Sequence, residues 1–155
     1  MGTPPANREL LRHVPAWGLL LCRFLVGPVI QFYWFWMPAY LYQARGLSLV
    51  AIGMFSWIPY LFGDIGSIGG GWVAGWLIRR GVSLAAARLG TMWVGAACCA
   101  LSACVTLAPS AATAIGFISL VMLGHTALSA NMFAAISDIF PEGAVGRVTG
   151  LTGIA

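Results

Sequence analysis

Long apolar runs, broken by short polar or basic clusters, set the pattern of this chain. Four of them, at about 16–42, 49–78, 89–107 and 111–140, are long enough to cross a membrane as helices, for which about twenty residues suffice. A fifth begins near Val145 and extends only to Ala155, so it reads as a helix cut short. The pattern predicts an all-α integral membrane protein with four complete transmembrane helices plus a truncated fifth. Residues 1–15, which carry Arg8, Glu9, Arg12 and His13, read as a polar linker. The apolar run after them outlasts the roughly 7–15 residues of a signal-peptide core, so no cleavage is expected.

The second run carries the most information. Ser48–Gly81, SLVAIGMFSWIPYLFGDIGSIGGGWVAGWLIRRG, opens on a serine suited to capping a helix and stops at Arg79 and Arg80. At 1.5 Å per residue a helix of about thirty residues rises roughly 45 Å, with a kink expected at Pro59. Gly63, Ser67, Gly71 and Gly75 recur every fourth residue and predict a ridge of small side chains for a neighbouring helix. Trp57, Tyr60, Asp64, Ser67 and Gly71 follow helical spacing and predict one shared face. Asp64 is the only carboxylate in the middle of an apolar run. Lipid is costly for such a group, so it should face a protein interior or a wet cavity. Simple pairing with a neighbour such as Arg23 is the alternative.

The other runs add polar groups one or two at a time. The first holds Arg23, Pro28 and Gln31, then the aromatic block Phe32, Tyr33, Trp34, Phe35 and Trp36, then Pro38 and Tyr40. Trp36 and Tyr40 suit an interfacial belt, whereas Gln31 and Tyr33 lie deeper. Arg23, about a third of the way in, either snorkels back to the near interface or serves as an intramembrane cation. The third run (GAACCALSAC) is rich in small residues and reads as a packing helix. On the fourth, His125, Ser129 and Met132 share one direction, while Asn131 and Asp138 share another. His125 and Asn131 should therefore not face one cavity.

Composition narrows the class. The chain is 60% hydrophobic and 8% charged, far from the roughly 25% charged residues of soluble domains. All eight basic residues are arginine, and with four acids they leave a net charge of +4. On short loops that excess sets orientation and headgroup contact with the lipid bilayer; no arrangement suited to nucleic acid exists. Arg8, Arg12, Arg79, Arg80, Arg88 and Arg147 fall on one side of a four-span topology and only Arg45 on the other, which predicts a cytoplasmic N-terminus. Cys22, Cys98, Cys99 and Cys104 lie inside apolar runs without a paired-cysteine motif and read as free thiols. No metal site, cofactor or enzymatic nucleophile–base set is expected, and Gly69, Gly70 and Gly71 lack the lysine and strand of a phosphate loop.

Three stretches carry a family resemblance. Arg23 through Leu41 (RFL–P–FYWFWMPAYL) resembles the seventh membrane helix of the major facilitator superfamily. More narrowly, it is similar to the anion:cation symporters and among them the hexuronate and sugar-acid transporters. Ala44 through Gly81 resembles their next loop and eighth helix, and Asn131 through Gly153 their tenth helix and the loop after it. The resemblance implies a fragment of a secondary transporter: a partial six-helix C-terminal half, residues 16–155, behind a cytoplasmic linker, residues 1–15. It further implies proton symport of an organic anion by alternating access, a separate N-terminal half as partner, and a bacterial inner membrane. Substrate-lining residues are expected to be Gln31, Tyr33, Trp34, Tyr60, Asp64 and Asn131. Gly71, Arg79 and Arg80 match the family's cytoplasmic gating-loop motif, but Gly75 and Trp76 stand where it has an Asp-Arg pair. The rival expectations are a four-helix multidrug exporter working as a homodimer, with Asp64 as the exchanged carboxylate, and a non-transporting membrane scaffold.

Overall fold

The structure, a computed structural model, describes residues 14–154. The expected linker with Arg8 and Arg12 lies almost wholly outside these residues, as does Ala155. In order the elements are α1 (Val14–Gln43), α2 (Leu49–Phe55), α3 (Trp57–Arg79), α4 (Leu84–Ala100), α5 (Ser102–Val105), α6 (Ala111–Ile139) and α7 (Glu142–Ile154). Four stretches have the length and hydropathy of membrane spans: Val14–Gln43, Leu49–Arg79, Leu84–Val105 and Ala111–Ile139.

Local chemistry explains where these helices start and stop. Ser48, Ser83 and Ser110 each sit one residue before a helix and accept a backbone N–H three residues on, at 3.2–3.3 Å. Ser83 moves the start of the third span to Leu84, ahead of the 89 expected from hydropathy. At the end of α3, Gly81 takes a φ of 89°. Its N–H meets the Ile78 carbonyl and the Val82 N–H meets that of Leu77, the paired bonds of a Schellman stop. Pro59 does interrupt the second span, but the break falls at Ser56, because proline has no N–H to return to the Phe55 carbonyl. A second break, at Leu101, separates α4 from α5 within the third span. α7 opens at Glu142, ahead of the expected 145, with a carboxylate in the first turn where the helix dipole favours one.

α6 is the axis of the bundle. Of its most apolar window 56% is buried, against 17–22% for the other spans, so those three present most of their surface outward. Three consecutive residues at its centre face three different helices, as the rotation of about 100° per residue dictates. Gly124 meets Gly95 and Cys98 of α4, and Thr126 meets Gly63 and Gly66 of α3. His125 turns toward Arg23 and Val26 of α1. The Thr126 hydroxyl donates across the α3 interface to the Gly63 carbonyl at 2.5 Å.

The ridge on α3 is not the expected one. Gly63, Gly66, Gly70 and Ala74 are its buried small residues, whereas Ser67 and Gly71 are exposed and Gly75 is half-buried. A Cβ on Gly70 would come within 2.7 Å of Ala127 on α6, and one on Gly66 would overlap the Leu123 carbonyl. A Cβ on Gly71 would meet nothing within 4 Å. The stripe runs at spacings of three, four and four, the period of a straight helix, so an unbroken four-residue repeat drifts off the interface.

Two apolar clusters hold α1 against α6. Towards the Arg45 end, Tyr33, Met37 and Leu41 pack with Val105, Ile118 and Met122. At the other end Ala16 and Leu19 pack with Met132 and Ile136 of α6 and with Ala144 and Val148 of α7.

Candidate functional site

Polar groups inside an apolar bundle must find partners or water, so each one reports on its surroundings. The six expected substrate-lining residues divide into two sets. Gln31, Trp34, Tyr60 and Asp64 are exposed on the outer faces of α1 and α3. Tyr33 and Asn131 are enclosed between helices, 4% and 0% exposed. The structure does not bring the six together.

The enclosed pair bonds helix to helix. The Tyr33 hydroxyl lies 2.6 Å from the Ser102 hydroxyl, at the break between α4 and α5. Asn131 donates to the Ala127 carbonyl at 2.9 Å and accepts from Arg88 at 3.2 Å. The Arg88 guanidinium also pairs with Asp138 at 3.0 Å, the two side chains being 19% and 27% exposed. Asn131 and Asp138 share a direction as their spacing requires, and what they share is one arginine.

That ion pair supports a measurable expectation. Removing either partner leaves a half-buried charge without its counter-charge, so Asp138→Asn and Arg88→Gln should each destabilise the chain by about 1–3 kcal/mol. The double variant should cost less than their sum, as coupled pairs do. Thermal melting of the four proteins checks this, and strictly additive losses would mean that the pair contributes nothing.

Arg45, expected only as an outlying charge, is a staple. Its guanidinium donates to the carbonyls of Ala108 and Val105 at 2.7 Å each and to Tyr40 Oη at 2.7 Å. It thereby adds a cation at the C-terminal end of the third span, where a helix dipole favours one. At the opposite end Arg79 and Arg80 are exposed, and Arg80 stacks over Trp76 at 4.2 Å.

The face expected on α3 is present. Trp57, Tyr60, Asp64, Ser67 and Gly71 are all exposed, one above another along the helix. Asp64 is the middle residue of the Leu49–Arg79 span, and no ion pair involves it among the described residues. Arg23 is not its partner. The arginine side chain folds forward over Gly27, its Nε 3.7 Å from where a Cβ on Gly27 would lie, and sits near His125. It does not snorkel back toward the start of α1. Open apolar grooves of about 690, 340 and 490 Å³ flank α6, and none of these is lined by any of the six residues. No cluster of three or more His, Cys, Asp or Glu able to hold a metal exists among the described residues, and the four cysteines are free and half-buried.

Comparison with known proteins then decides the family. The family model described as Major Facilitator Superfamily matches residues 2–155. The chain belongs to the major facilitator superfamily. Within it, the chain is 32% identical to the hexuronate transporter of Escherichia coli K12 over 149 residues, 95% of this chain and 34% of that protein. It is 40% identical to the galacturonate transporter of Dickeya chrysanthemi over 65 residues, 42% of this chain and 19% of that protein. To the D-galactonate transporter of an Escherichia coli O6:H1 strain it is 35% identical over 80 residues, 52% of this chain and 19% of that protein. The chain thus spans about a third of the hexuronate transporter's length.

Membership in the superfamily gives the outward faces a context. A facilitator site lies between bodies of helices near the bilayer midplane. Asp64 is exposed at the middle of its span, whereas Tyr33 and Asn131 are occupied in helix contacts. Sequence reading missed Ser102, Thr126 and the partnership of Arg88 with Asp138; only the i+7 spacing of Asn131 and Asp138 pointed toward the last.

Proposed function

We propose that this chain is part of the C-terminal half of a sugar-acid carrier that moves a hexuronate-like anion together with a proton. The observation that carries the reading is Asp64: a carboxylate at the midpoint of a membrane span, exposed, and without an ion pair among the described residues. A charge at that depth does not face lipid, so it requires either a water-filled cavity or a second protein body. A facilitator supplies both, because its two halves rock about a central solute site. Gln31, Trp34 and Tyr60 join Asp64 as lining residues on this reading. The likeness to hexuronate, galacturonate and D-galactonate transporters supports the substrate class. Gly71, Arg79 and Arg80 would form the gating-loop motif, weakened by Gly75 and Trp76 in place of its charged pair.

The arginines support one orientation. Arg79, Arg80, Arg88 and Arg147 cluster at the loop ends opposite Arg45, so the N-terminus and these loops would face the cytoplasm of a bacterial inner membrane. A reporter fused after Arg88 should read cytoplasmic, and one near Arg45 or Ser110 external. A cytoplasmic signal at Ser110 overturns the topology. Uptake tests the function: the complete carrier in proteoliposomes should accumulate galacturonate when the outside is acidified and lose that accumulation on adding a protonophore. Uptake that ignores the pH gradient would remove proton symport. No uptake of any sugar acid would remove the substrate class.

A further inference from the structure

Two polar side chains on facing helices, His125 of α6 and Arg23 of α1, have needs that the fold leaves unmet. His125, the middle residue of the Ala111–Ile139 span, is 3% exposed, and neither of its ring nitrogens has a hydrogen-bond partner among the described residues. The Val26 carbonyl lies beside the ring but outside hydrogen-bond geometry. On the same side stands Arg23, half-buried, its guanidinium turned inward over Gly27.

Asp138 is held by Arg88, Asp64 lies on the outward face of α3, and Glu142 belongs to the first turn of α7. No acid among the described residues neutralises Arg23, yet a guanidinium turned into a membrane bundle demands an anion. The fork of an arginine presents two parallel N–H donors to a planar carboxylate, and a neighbouring imidazole N–H adds a third. Among the described residues no other arginine has an imidazole beside it.

We propose that Arg23 and His125 form a subsite for the carboxylate group of a sugar-acid substrate, approached from the Arg23 side. The subsite rests on the sugar-acid reading and adds to it a cationic anchor on α1 and α6, distinct from the Asp64 face. An acidic side chain from elsewhere in the carrier would satisfy the same donors, and the test separates the two sources.

The probes are galacturonate and its uncharged methyl ester, with binding measured by calorimetry on the complete carrier in nanodiscs. Arg23→Gln should weaken galacturonate binding about ten- to hundredfold while leaving ester binding unchanged, the loss expected when a charged hydrogen-bond partner is removed. Arg23→Lys should recover part of the affinity, since it keeps the charge without the fork. His125→Gln should reduce the preference for acid over ester without lowering the melting midpoint. A galacturonate-to-ester preference that stays the same in all three variants overturns the subsite. So does a fall in the melting midpoint of the ligand-free Arg23→Gln carrier with unchanged preference, which marks an internal ion pair. If Arg23→Gln does not fold, Arg23→Lys and His125→Gln decide by the same ratio. Should the unaltered carrier bind neither probe, the sugar-acid reading itself has failed, and the subsite with it. Binding by the unaltered carrier with no change in the variants sinks the subsite alone.

Discussion

Gly70→Leu should drive α3 off α6 and destabilise the bundle by about 3 kcal/mol or more, whereas Gly71→Leu should stay within about 0.5 kcal/mol of the parent. The two positions are adjacent, carry the same residue and receive the same side chain, so composition and depth cancel in the comparison. What differs is the neighbour. A Cβ at Gly70 would sit 2.7 Å from both Cα and Cβ of Ala127, and a helix backbone does not yield as a flexible side chain does. Relief requires moving two helices that cross along their whole interface, which also breaks the Thr126 bond to the Gly63 carbonyl. At Gly71 the new side chain enters open space on the outer face. Thermal melting of the purified chain in detergent, with expression level as a second readout, measures both. Equal losses at the two positions would mean that α3 is rotated from the register described.

That contrast also marks where sequence reading stopped. The four spans were legible because a bilayer requires about twenty apolar residues in a row, and polar breaks delimit such runs. Ser48 showed as a cap for a similarly local reason: the bond it makes is three residues away. The register of α3 was not local. Glycine occupies Gly63, Gly66, Gly69, Gly70, Gly71 and Gly75, so more than one small stripe can be drawn on the same helix. The choice is made by Leu123, Thr126 and Ala127 on α6, about sixty residues further along. A single helix carries no record of its partner's shape.

The candidate site divides along the same line. The face shared by Trp57, Tyr60, Asp64, Ser67 and Gly71 follows from helical spacing, and the structure exposes all five. Whether a polar residue is spent on a neighbour depends on which helix lies beside it. Asn131 looked available until Arg88, forty-three positions earlier in the chain, met it at 3.2 Å. Tyr33 looked available until the break at Leu101 placed Ser102 against it. Arg45 reversed the error: an arginine counted only for its charge spends its donors on the end of α5.

Asp64→Asn should leave the carrier folded with its melting midpoint unchanged, while galacturonate uptake falls at least about tenfold or loses its dependence on outside pH. The amide matches the carboxylate in volume and keeps hydrogen-bonding ability, but it neither carries a charge nor exchanges a proton. No ion pair involves Asp64 among the described residues, and Arg23 lies toward His125 on α6. The substitution therefore strands no counter-charge. Had Asp64 been the partner of a buried cation, the same change would cost about 3–5 kcal/mol, because the cation would remain buried and uncompensated. Melting and uptake thus move independently in the two cases. The decisive measurement pairs a melting curve with initial uptake rates at several outside pH values for the parent and Asp64→Asn carriers. A stable variant with impaired or pH-independent uptake places the carboxylate in the transport pathway. A destabilised variant assigns it to packing against a part of the carrier beyond these residues. A stable variant with the parent's pH profile leaves Asp64 with neither role, and the exposed face of α3 would then require a different account, such as contact with a second protein body through Trp57 and Tyr60.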